Sequence, residues 1–438
     1  MAVSVIPDPV ELLRDLIRFD TTNPPGNERA CIEHLRKLLE HAGVDSEAYA
    51  CEPERPNLVA RLGGDNGGTP LLLYGHVDVV PTAGQQWTYP PFSAELAAGE
   101  IWGRGALDMK SGVAMMVTAF LQATAEGQVP PGGVVLVVLS DEETGGDFGA
   151  KYLAQEHPDV FGGARHALGE VGGFSLHVAG RRVYPIQVAE KQMCTLRATI
   201  RGPGGHASRP LRGGAMARLG RMLEALDRER TPAHITELAQ RMFEPMADAL
   251  PDPHAALLRA LLDHATCDAA LEQLGDSGQR YEATLRNTVA ATIVNGGTAV
   301  NVIPSEIVVD LDGRALPGFG PDDMLAEVGA IVGDDVELEV VRFEAGPAEP
   351  DLAFFEPLAE VLRELDPEGV PVPMLMPAVT DGRHLSPLGI QTYGFMPLAV
   401  PEDFPLDRLA HAADERVPAD AVRFGAEAIF RAITRYPG

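Results

Sequence analysis

The chain predicts an α/β fold: a mainly parallel sheet flanked by helices, with a smaller α+β domain inserted into it. Three observations carry the prediction. Val134-Val135-Leu136-Val137-Val138-Leu139 is continuously apolar and mostly β-branched, the pattern of a strand buried on both faces. Leu71-Leu72-Leu73-Tyr74 has the same character, and a helical stretch of about Ser111 to Ala125 fills the crossover between the two. Beyond Gly180 the texture changes to strand, helix, strand and strand, the order of a small open antiparallel sheet with helices on one face. The expected division is 1–187 and 314–438 for the two parts of the larger domain and 188–313 for the insertion.

At the start, Asp8 can cap a helix, Pro9 suits its first turn, and Val10, Leu13, Ile17 and Phe19 recur at near-helical spacing. Thr21-Thr22-Asn23-Pro24-Pro25-Gly26 breaks that helix; a second, about Glu28 to His41, stops at Gly43. Residues 57–62 read as a short strand closed by Gly63-Gly64. In the insertion, 188–201 alternates as a strand, 215–228 reads as a helix and 231–279 as a largely helical stretch. Residues 281–294 and 306–311 read as strands, with Asn295-Gly296-Gly297 as a turn. From Pro321 the α/β texture resumes, with a helix at about 322–331, a strand at 336–343 and a helix at 354–365. A helix of about 418–434 closes the chain.

The totals bound the function. A length of 438 residues exceeds one core, and 45% hydrophobic with 22% charged residues is ordinary for a globular protein. No apolar run approaches the roughly 20 residues of a membrane span. The stretch Met1-Ala2-Val3-Ser4-Val5-Ile6-Pro7 has neither a basic region nor a signal-length apolar core, so a cytoplasmic location is expected. A net charge of −28 argues against nucleic acid and anionic membranes as partners. Cys31, Cys51, Cys194 and Cys267 are scattered, which suits a reducing compartment and neither a disulfide framework nor a thiolate metal site.

Chemistry-bearing residues collect where strands end, the edge at which parallel α/β sheets place their sites. Leu71–Tyr74 runs into Gly75-His76-Val77-Asp78, and Val134–Leu139 into Ser140-Asp141-Glu142-Glu143. Asp108 lies between them, and Glu170 follows in Leu168-Gly169-Glu170. A histidine and carboxylates presented this way point to divalent metal. A pair of cations needs one bridging carboxylate, a histidine and a further carboxylate on each ion, and a free carboxylate to take a proton. Taken singly, His76 can be a structural histidine, Asp108 a turn residue, Glu170 a surface charge and Glu142-Glu143 a solvated loop tip. Asp78, two residues beyond His76, points to the same side and can orient its ring. Spacing leaves the division of roles between Glu142 and Glu143 open.

Several longer words occur in order: Gly75-His76-Val77-Asp78-Val79-Val80-Pro81, Gly103-Arg104-Gly105-Ala106-Leu107-Asp108-Met109-Lys110, Asp141-Glu142-Glu143-Thr144-Gly145-Gly146 and Gly204-Gly205-His206-Ala207-Ser208. Gly296-Gly297-Thr298, Asn301-Val302-Ile303-Pro304 and Asp312-Gly313-Arg314 follow. As a set they resemble the dinuclear-zinc exopeptidase and amidohydrolase family that contains acetylornithine deacetylase, succinyl-diaminopimelate desuccinylase, glutamate carboxypeptidase and the aminoacylases. The resemblance covers nearly the whole chain and implies a zinc-exopeptidase-like catalytic domain with an inserted lid and dimerisation domain. It makes Asp108 the bridging ligand, with His76 and Glu170 on one metal, and Glu143 and a late histidine on the other. Of His384 and His411, the latter stands in Arg408-Leu409-Ala410-His411-Ala412-Ala413-Asp414-Glu415, which resembles the family's closing motif, and is taken as the ligand. Glu142 becomes the general base, and His206 the oxyanion-stabilising histidine, often supplied by the partner subunit of a homodimer. Arg314 becomes the clamp on the substrate's carboxylate, with Asn301 and the Gly382 region lining the pocket. Two departures stand out: Gln192 replaces a glycine in Glu190-Lys191-Gln192, and Val171-Gly172-Gly173 follows Glu170 where acetylornithine deacetylase-like members have Pro-Thr.

The resemblance therefore implies a metal-dependent hydrolase cleaving an amide bond next to a free carboxylate, in an N-acyl amino acid or short peptide. Two divalent ions are expected, Zn2+ first, with Co2+ or Mn2+ as alternatives. The nearer rival is a biosynthetic deacylase of the acetylornithine or succinyl-diaminopimelate type. A remote one is a binding protein on the same fold that no longer hydrolyses, although every catalytic position is filled here.

Overall fold

A computed structural model of the chain describes residues 6–64, 67–347 and 349–438. The expectation about the N-terminus falls largely on residues 1–5, outside that range. The chain divides into two compact units. The first comprises the chain up to Val188 with Asp351–Met374 and Thr380–Gly438; the second comprises Ala189–Pro350 and Leu375–Val379.

Among the described residues the first unit is organised on a nine-stranded mixed sheet. Its centre is parallel: Val134–Leu139, Leu71–His76, His166–Gly169 and Gln391–Gly394 lie side by side in that order. The flanks are antiparallel, with Asn57–Leu62 and Ser46–Tyr49 on one side and Arg181–Glu190 on the other. Every residue of Val134–Leu139 and Leu71–His76 is buried, as their unbroken apolar runs require. Truncating one of these side chains, Leu136→Ala for example, removes about 2–5 kcal/mol through lost transfer energy and the cavity left behind.

Helix Lys110–Glu126 covers the sheet and is itself covered, packing against Pro9–Ile17 and the C-terminal helix Ala419–Thr434. That explains why it is apolar almost all round; Gly127 ends it in the left-handed conformation (φ 65°). Helix Pro9–Ile17 starts where Asp8 Oδ1 accepts the Val10 N–H at 2.8 Å, and buries Val10, Leu12, Leu13, Leu16 and Ile17. A three-stranded sheet absent from the sequence reading pairs Glu100–Trp102 with Glu95–Ala97 and with Arg416–Pro418. It brings the end of the chain beside the segment that carries Asp108. Strands Val370–Met376 and Gln391–Gly394 were not anticipated either. No helix among the described residues is long and apolar enough to cross a membrane.

The second unit is a four-stranded antiparallel sheet in the order Thr288–Gly296, Glu306–Ala315, Gln192–Arg201, Val336–Phe343. Its core joins one face of the sheet, through Cys194, Leu196, Val309 and Leu311, to Ala215 and Met222 of helix Ala215–Arg228 and to Met324 and Val328 of helix Pro321–Val332. Residues 314–350, expected in the larger domain, are part of this unit because Val336–Phe343 pairs with Gln192–Arg201 along its length. The strand expected over 281–294 begins at Thr288. Helix Asp276–Leu285 carries through Tyr281, whose ring packs edge-on to Phe243, so a tertiary contact overrides the β propensity of tyrosine. The expected strand 188–201 is divided at Lys191 into Arg181–Glu190 and Gln192–Arg201. Gln192, the departure from the family glycine, is a buried tie: its amide donates to Leu316 O and Phe319 O (both 2.8 Å) and accepts from Gly346 N (2.9 Å).

Candidate metal centre

The carboxyl edge of the parallel strands assembles five of the sequence candidates in two overlapping groups. His76, Asp108 and Glu170 form one group and Asp108, Glu143 and His411 the other; within each, one ligand atom per residue lies within 4.8 Å of the rest. His76 ends its strand with Nε2 3.2 Å from Asp108 Oδ1 and 3.4 Å from Glu170 Oε2. His411 Nε2 stands 3.1 Å from Asp108 Oδ2 and 3.3 Å from Glu143 Oε2. Asp108 thus turns one oxygen to each histidine. Glu170 follows directly on strand His166–Gly169, whose last residue must be glycine because a Cβ there would sit 2.2 Å from the Tyr74 ring.

The loop carrying Glu142 and Glu143 is held from below by buried polar groups. Asp78 accepts the N–H of Glu142 on Oδ1 and of Glu143 on Oδ2, both at 3.1 Å. The His76 ring is oriented mainly by the backbone carbonyl of Asp78, 3.0 Å from Nδ1, with the Asp78 carboxylate at 3.4 Å. That bond occupies Nδ1 and leaves Nε2 toward the centre. The carboxylate of Asp78 therefore does a second job that spacing did not indicate. Asn23 joins it, donating through Nδ2 to Asp78 Oδ2 (2.8 Å), Asp141 Oδ1 (3.0 Å) and Thr144 Oγ1 (3.0 Å). Arg55 pairs with Glu28 and with Asp141 (2.8 and 2.9 Å), holding Asp141 in its left-handed backbone (φ 72°).

Glu415 fastens the other wall. Fully buried, it accepts from Leu107 N (2.7 Å), Asp108 N (3.1 Å), Gly105 N (3.2 Å) and Arg104 Nη1 (2.6 Å). Arg104 and Gln85 also bind the carbonyl of His411 (3.2 and 2.9 Å), whose backbone is left-handed (φ 61°). Sequence reading treated Asn23 as part of a helix breaker and Glu415 as a trailing acid. An arginine between two glycines in Gly103-Arg104-Gly105 was the available hint that a buried carboxylate partner had to exist.

The electrostatics show a centre short of positive charge. Burial, then Glu170, pushes Glu142 up to about 10. Burial likewise raises Glu170, and raises Asp381 well above the carboxylate range. His76 is raised well above the imidazole range by Asp108, Asp78 and Glu170 against the opposing effect of burial. Bonds to Asp108 and Glu143 raise His411 to about 10, while the two imidazoles hold Asp108 below the usual range despite burial. Among the described residues Glu143 Oε1 and both oxygens of Asp381 are buried with no hydrogen-bond partner. Carboxylates outnumber imidazoles here and one ligand oxygen is orphaned, so the donor set fits a pair of divalent cations.

The remaining candidates separate by unit. Gly382 lies in the first unit, buried at the start of the short helix Gly382–Leu385, with its N–H on Thr380 Oγ1 (3.0 Å). His384 lies beside it and bonds Gly145 O (3.1 Å), a structural contact on the acidic loop. In the second unit His206 is exposed on a two-residue strand paired with Val302–Ile303, and its Nδ1 accepts from Ser208 N and meets Ser208 Oγ at 2.8 Å. Asn301 accepts the Ala207 N–H through its carbonyl (2.9 Å). Arg314 pairs with Asp312 through Nε (2.6 Å) and Nη2 (2.9 Å).

Comparison with known proteins gives concordant results. The profile described as Peptidase family M20/M25/M40 matches residues 72–435. A probable carboxypeptidase S-like 2 of Dictyostelium discoideum is 27% identical over 378 residues, 81% of this chain and 69% of that protein. A succinyl-diaminopimelate desuccinylase of Paracoccus denitrificans is 29% identical over 451 residues, covering 98% of this chain and 99% of that protein. In fold, the chain is similar to an M20 family metallo-carboxypeptidase of Sulfolobus solfataricus, with a TM-score of 0.67 at 18% identity over 98% of this chain and 99% of that one.

Proposed function

The chain belongs to peptidase family M20/M25/M40, and from that premise we propose that it hydrolyses an amide bond adjacent to a free carboxylate, in an N-acyl amino acid or short peptide. The carrying observation is the pair of ligand groups that share Asp108, with Glu142 next in the chain to Glu143 and within electrostatic reach of Glu170, His76 and Asp108. His76, Asp108 and Glu170 would hold one metal ion, and Asp108, Glu143 and His411 the other. Two ions bound there would supply a water of lowered pKa and polarisation of the scissile carbonyl.

The chain's own groups supply the rest. Glu142 takes the proton of the attacking water and passes it to the leaving amine, a contribution of roughly 10²–10⁴-fold. Asp78 keeps Glu142 and Glu143 in place through their backbone N–H groups. Arg314 receives the substrate's carboxylate, a role suited to its bidentate fork, and Asn301 and Gly382 line the pocket. His206 stabilises the oxyanion, supplied by the second subunit of a homodimer formed through the lid. The apolar residues Ile293 (53% exposed) and Val294 (51%) on the edge strand Thr288–Gly296 support such pairing. Zn2+ is the proposed ion, with Co2+ or Mn2+ able to use the same donors. The location proposed is the cytoplasm, which agrees with four unpaired cysteines.

A biosynthetic desuccinylase or deacetylase is the second reading, favoured by the near full-length match to the desuccinylase. Metal analysis combined with a panel of N-acyl amino acids, dipeptides, N-acetylornithine and N-succinyl-diaminopimelate separates the two. Turnover unaffected by exhaustive chelation refutes both. Mixing His206→Ala with Glu142→Ala subunits should regain activity; no recovery counts against the trans role of His206.

A further inference from the structure

The two histidines of the centre are held in different ways. His76 is 1% exposed and ends a strand, and its Nδ1 is steered by the carbonyl of Asp78. That is the usual arrangement for a metal-ligating imidazole, whose second nitrogen is fixed by a neighbouring acceptor. His411 lies on a loop with its side chain 52% exposed, and its contacts run through Nε2 to Asp108 and Glu143. Among the described residues its Nδ1 has no hydrogen-bond partner. Its backbone is also left-handed, a conformation that costs free energy in a residue with a Cβ. Apart from the two carboxylates with which it would share an ion, its direction toward the centre is set through the main chain.

That main chain is held by a strap from far back in the sequence, residues 82–88. Thr82 O accepts the Gln85 N–H (3.2 Å) across a turn with Gly84 at φ 79°, the position at which a type II turn favours glycine. The turn delivers the Gln85 side chain to His411, 326 residues later. Its Nε2 donates to His411 O at 2.9 Å, and its Oε1 accepts from Arg104 Nη2 at 2.9 Å. Arg104 donates to the same carbonyl at 3.2 Å, so the three groups close a ring. The strap is tied a second time at Thr88, whose N–H and hydroxyl donate to the Asp414 carboxylate at 2.7 and 2.8 Å. Between the ties the Trp87 ring lies 5.2 Å from the Arg104 guanidinium.

An amide suits both demands of the ring. The guanidinium needs an acceptor and the carbonyl needs a donor, and glutamine offers one of each. Gln85→Glu would keep the first bond and set two acceptors against each other at the second. We propose that Gln85 is a positioning residue for His411. It holds the left-handed main chain from which that imidazole reaches the centre, and so sets how tightly the ion at Asp108, Glu143 and His411 is kept. The assignment rests on the metal reading above and adds to it a residue that is not itself a ligand. Thr88 with Asp414 closes the strap behind it. The ion at His76, Asp108 and Glu170 draws its histidine from a strand and from the Asp78 carbonyl, so it does not depend on Gln85.

Zn2+-loaded full-length protein is dialysed against chelator-buffered Zn2+ of falling free concentration, and bound zinc is counted by elemental analysis. The wild type should hold two ions. Gln85→Glu should lose one of them at a free concentration about tenfold higher or more, and release the other where the wild type does. Thr88→Val should shift the same ion in the same direction and by less. His411→Ala removes that ion outright, so adding Gln85→Glu to it should change nothing further. The second readout is the thermal midpoint of the metal-free chain, which a purely structural tie would lower while leaving the two affinities in the wild-type ratio. Equal loosening of both ions, loosening of neither, or a further loss in the double variant overturns the strap alone. Should Gln85→Glu fail to fold, Gln85→Met, which removes both side-chain bonds at similar length, is held to the same outcomes. A wild type that holds fewer than two ions refutes the metal reading and the strap with it. Two ions held, selective loss in Gln85→Glu and an inert substrate panel leave the strap standing and refute the hydrolase reading.

Discussion

Replacing Glu415 by glutamine changes one oxygen into an NH2 group at a place where every neighbour is a donor. The carboxylate takes four N–H groups, from Leu107 and Asp108 on one oxygen and from Gly105 and Arg104 on the other. Whichever way the amide turns, its nitrogen faces two of them. If it faces Arg104, a guanidinium only 1% exposed loses its charge partner. Losing one member of a buried ion pair costs about 3–5 kcal/mol, and two hydrogen bonds to a charged acceptor, at about 1.5–3 kcal/mol each, give a similar figure. We therefore expect Glu415→Gln to lose about 3–5 kcal/mol in the unfolding transition of the first unit. The damage should reach the centre, because the same network fixes the backbone of Asp108 and, through Arg104, the carbonyl of His411. Urea unfolding followed by near-ultraviolet circular dichroism measures the first effect, and metal stoichiometry after dialysis the second. A loss below about 1 kcal/mol with two ions retained would refute the reasoning, since the worth of a fully hydrogen-bonded buried carboxylate would then have been misjudged.

The other expectations concern the centre directly. Glu142→Gln should lower kcat by roughly 10²–10⁴-fold while metal content stays the same; loss of metal would make Glu142 a ligand. Asp108→Asn should abolish tight binding of both ions and His411→Ala of one, as read by elemental analysis after dialysis. Metal binding should release protons and tighten as pH rises, because His76 and His411 hold protons in the free protein; titration in buffers of different ionisation enthalpy measures the release. The sign for stability is opposite. His411 is raised from 6.5 to about 10, so its contribution to the metal-free protein is complete below about pH 6.5 and lost as pH climbs toward about 10. A metal-free thermal midpoint that rises over that interval would contradict the assignment.

How far the sequence reaches depends on whether a feature is local. The unbroken apolar runs at 71–74 and 134–139 announce buried parallel strands, because only a strand covered on both faces tolerates such a run. Their ends announce the site, and Asp8 with Pro9 announces a helix start. Helix Asp276–Leu285 was legible only in part: Tyr281 favours a strand by propensity, and the ring of Phe243, far off in sequence, decides otherwise. The allotment of residues 314–350 followed the same rule, since it rests on Val336–Phe343 choosing Gln192–Arg201 as partner.

By itself, then, the order of residues determined which groups could carry chemistry and on which edge of the sheet they emerge, because hydrophobic period and turn residues act over a few positions. The tertiary structure alone decided which buried polar groups satisfy one another. It set Asp108 between two histidines, gave the Asp78 carboxylate to the Glu142–Glu143 backbone, tied Glu415 to the turn before Asp108, and brought Gln85 to the carbonyl of His411. Hydrogen bonds and ion pairs are won or lost within a few tenths of an ångström, and that distance is fixed by packing between segments tens to hundreds of residues apart.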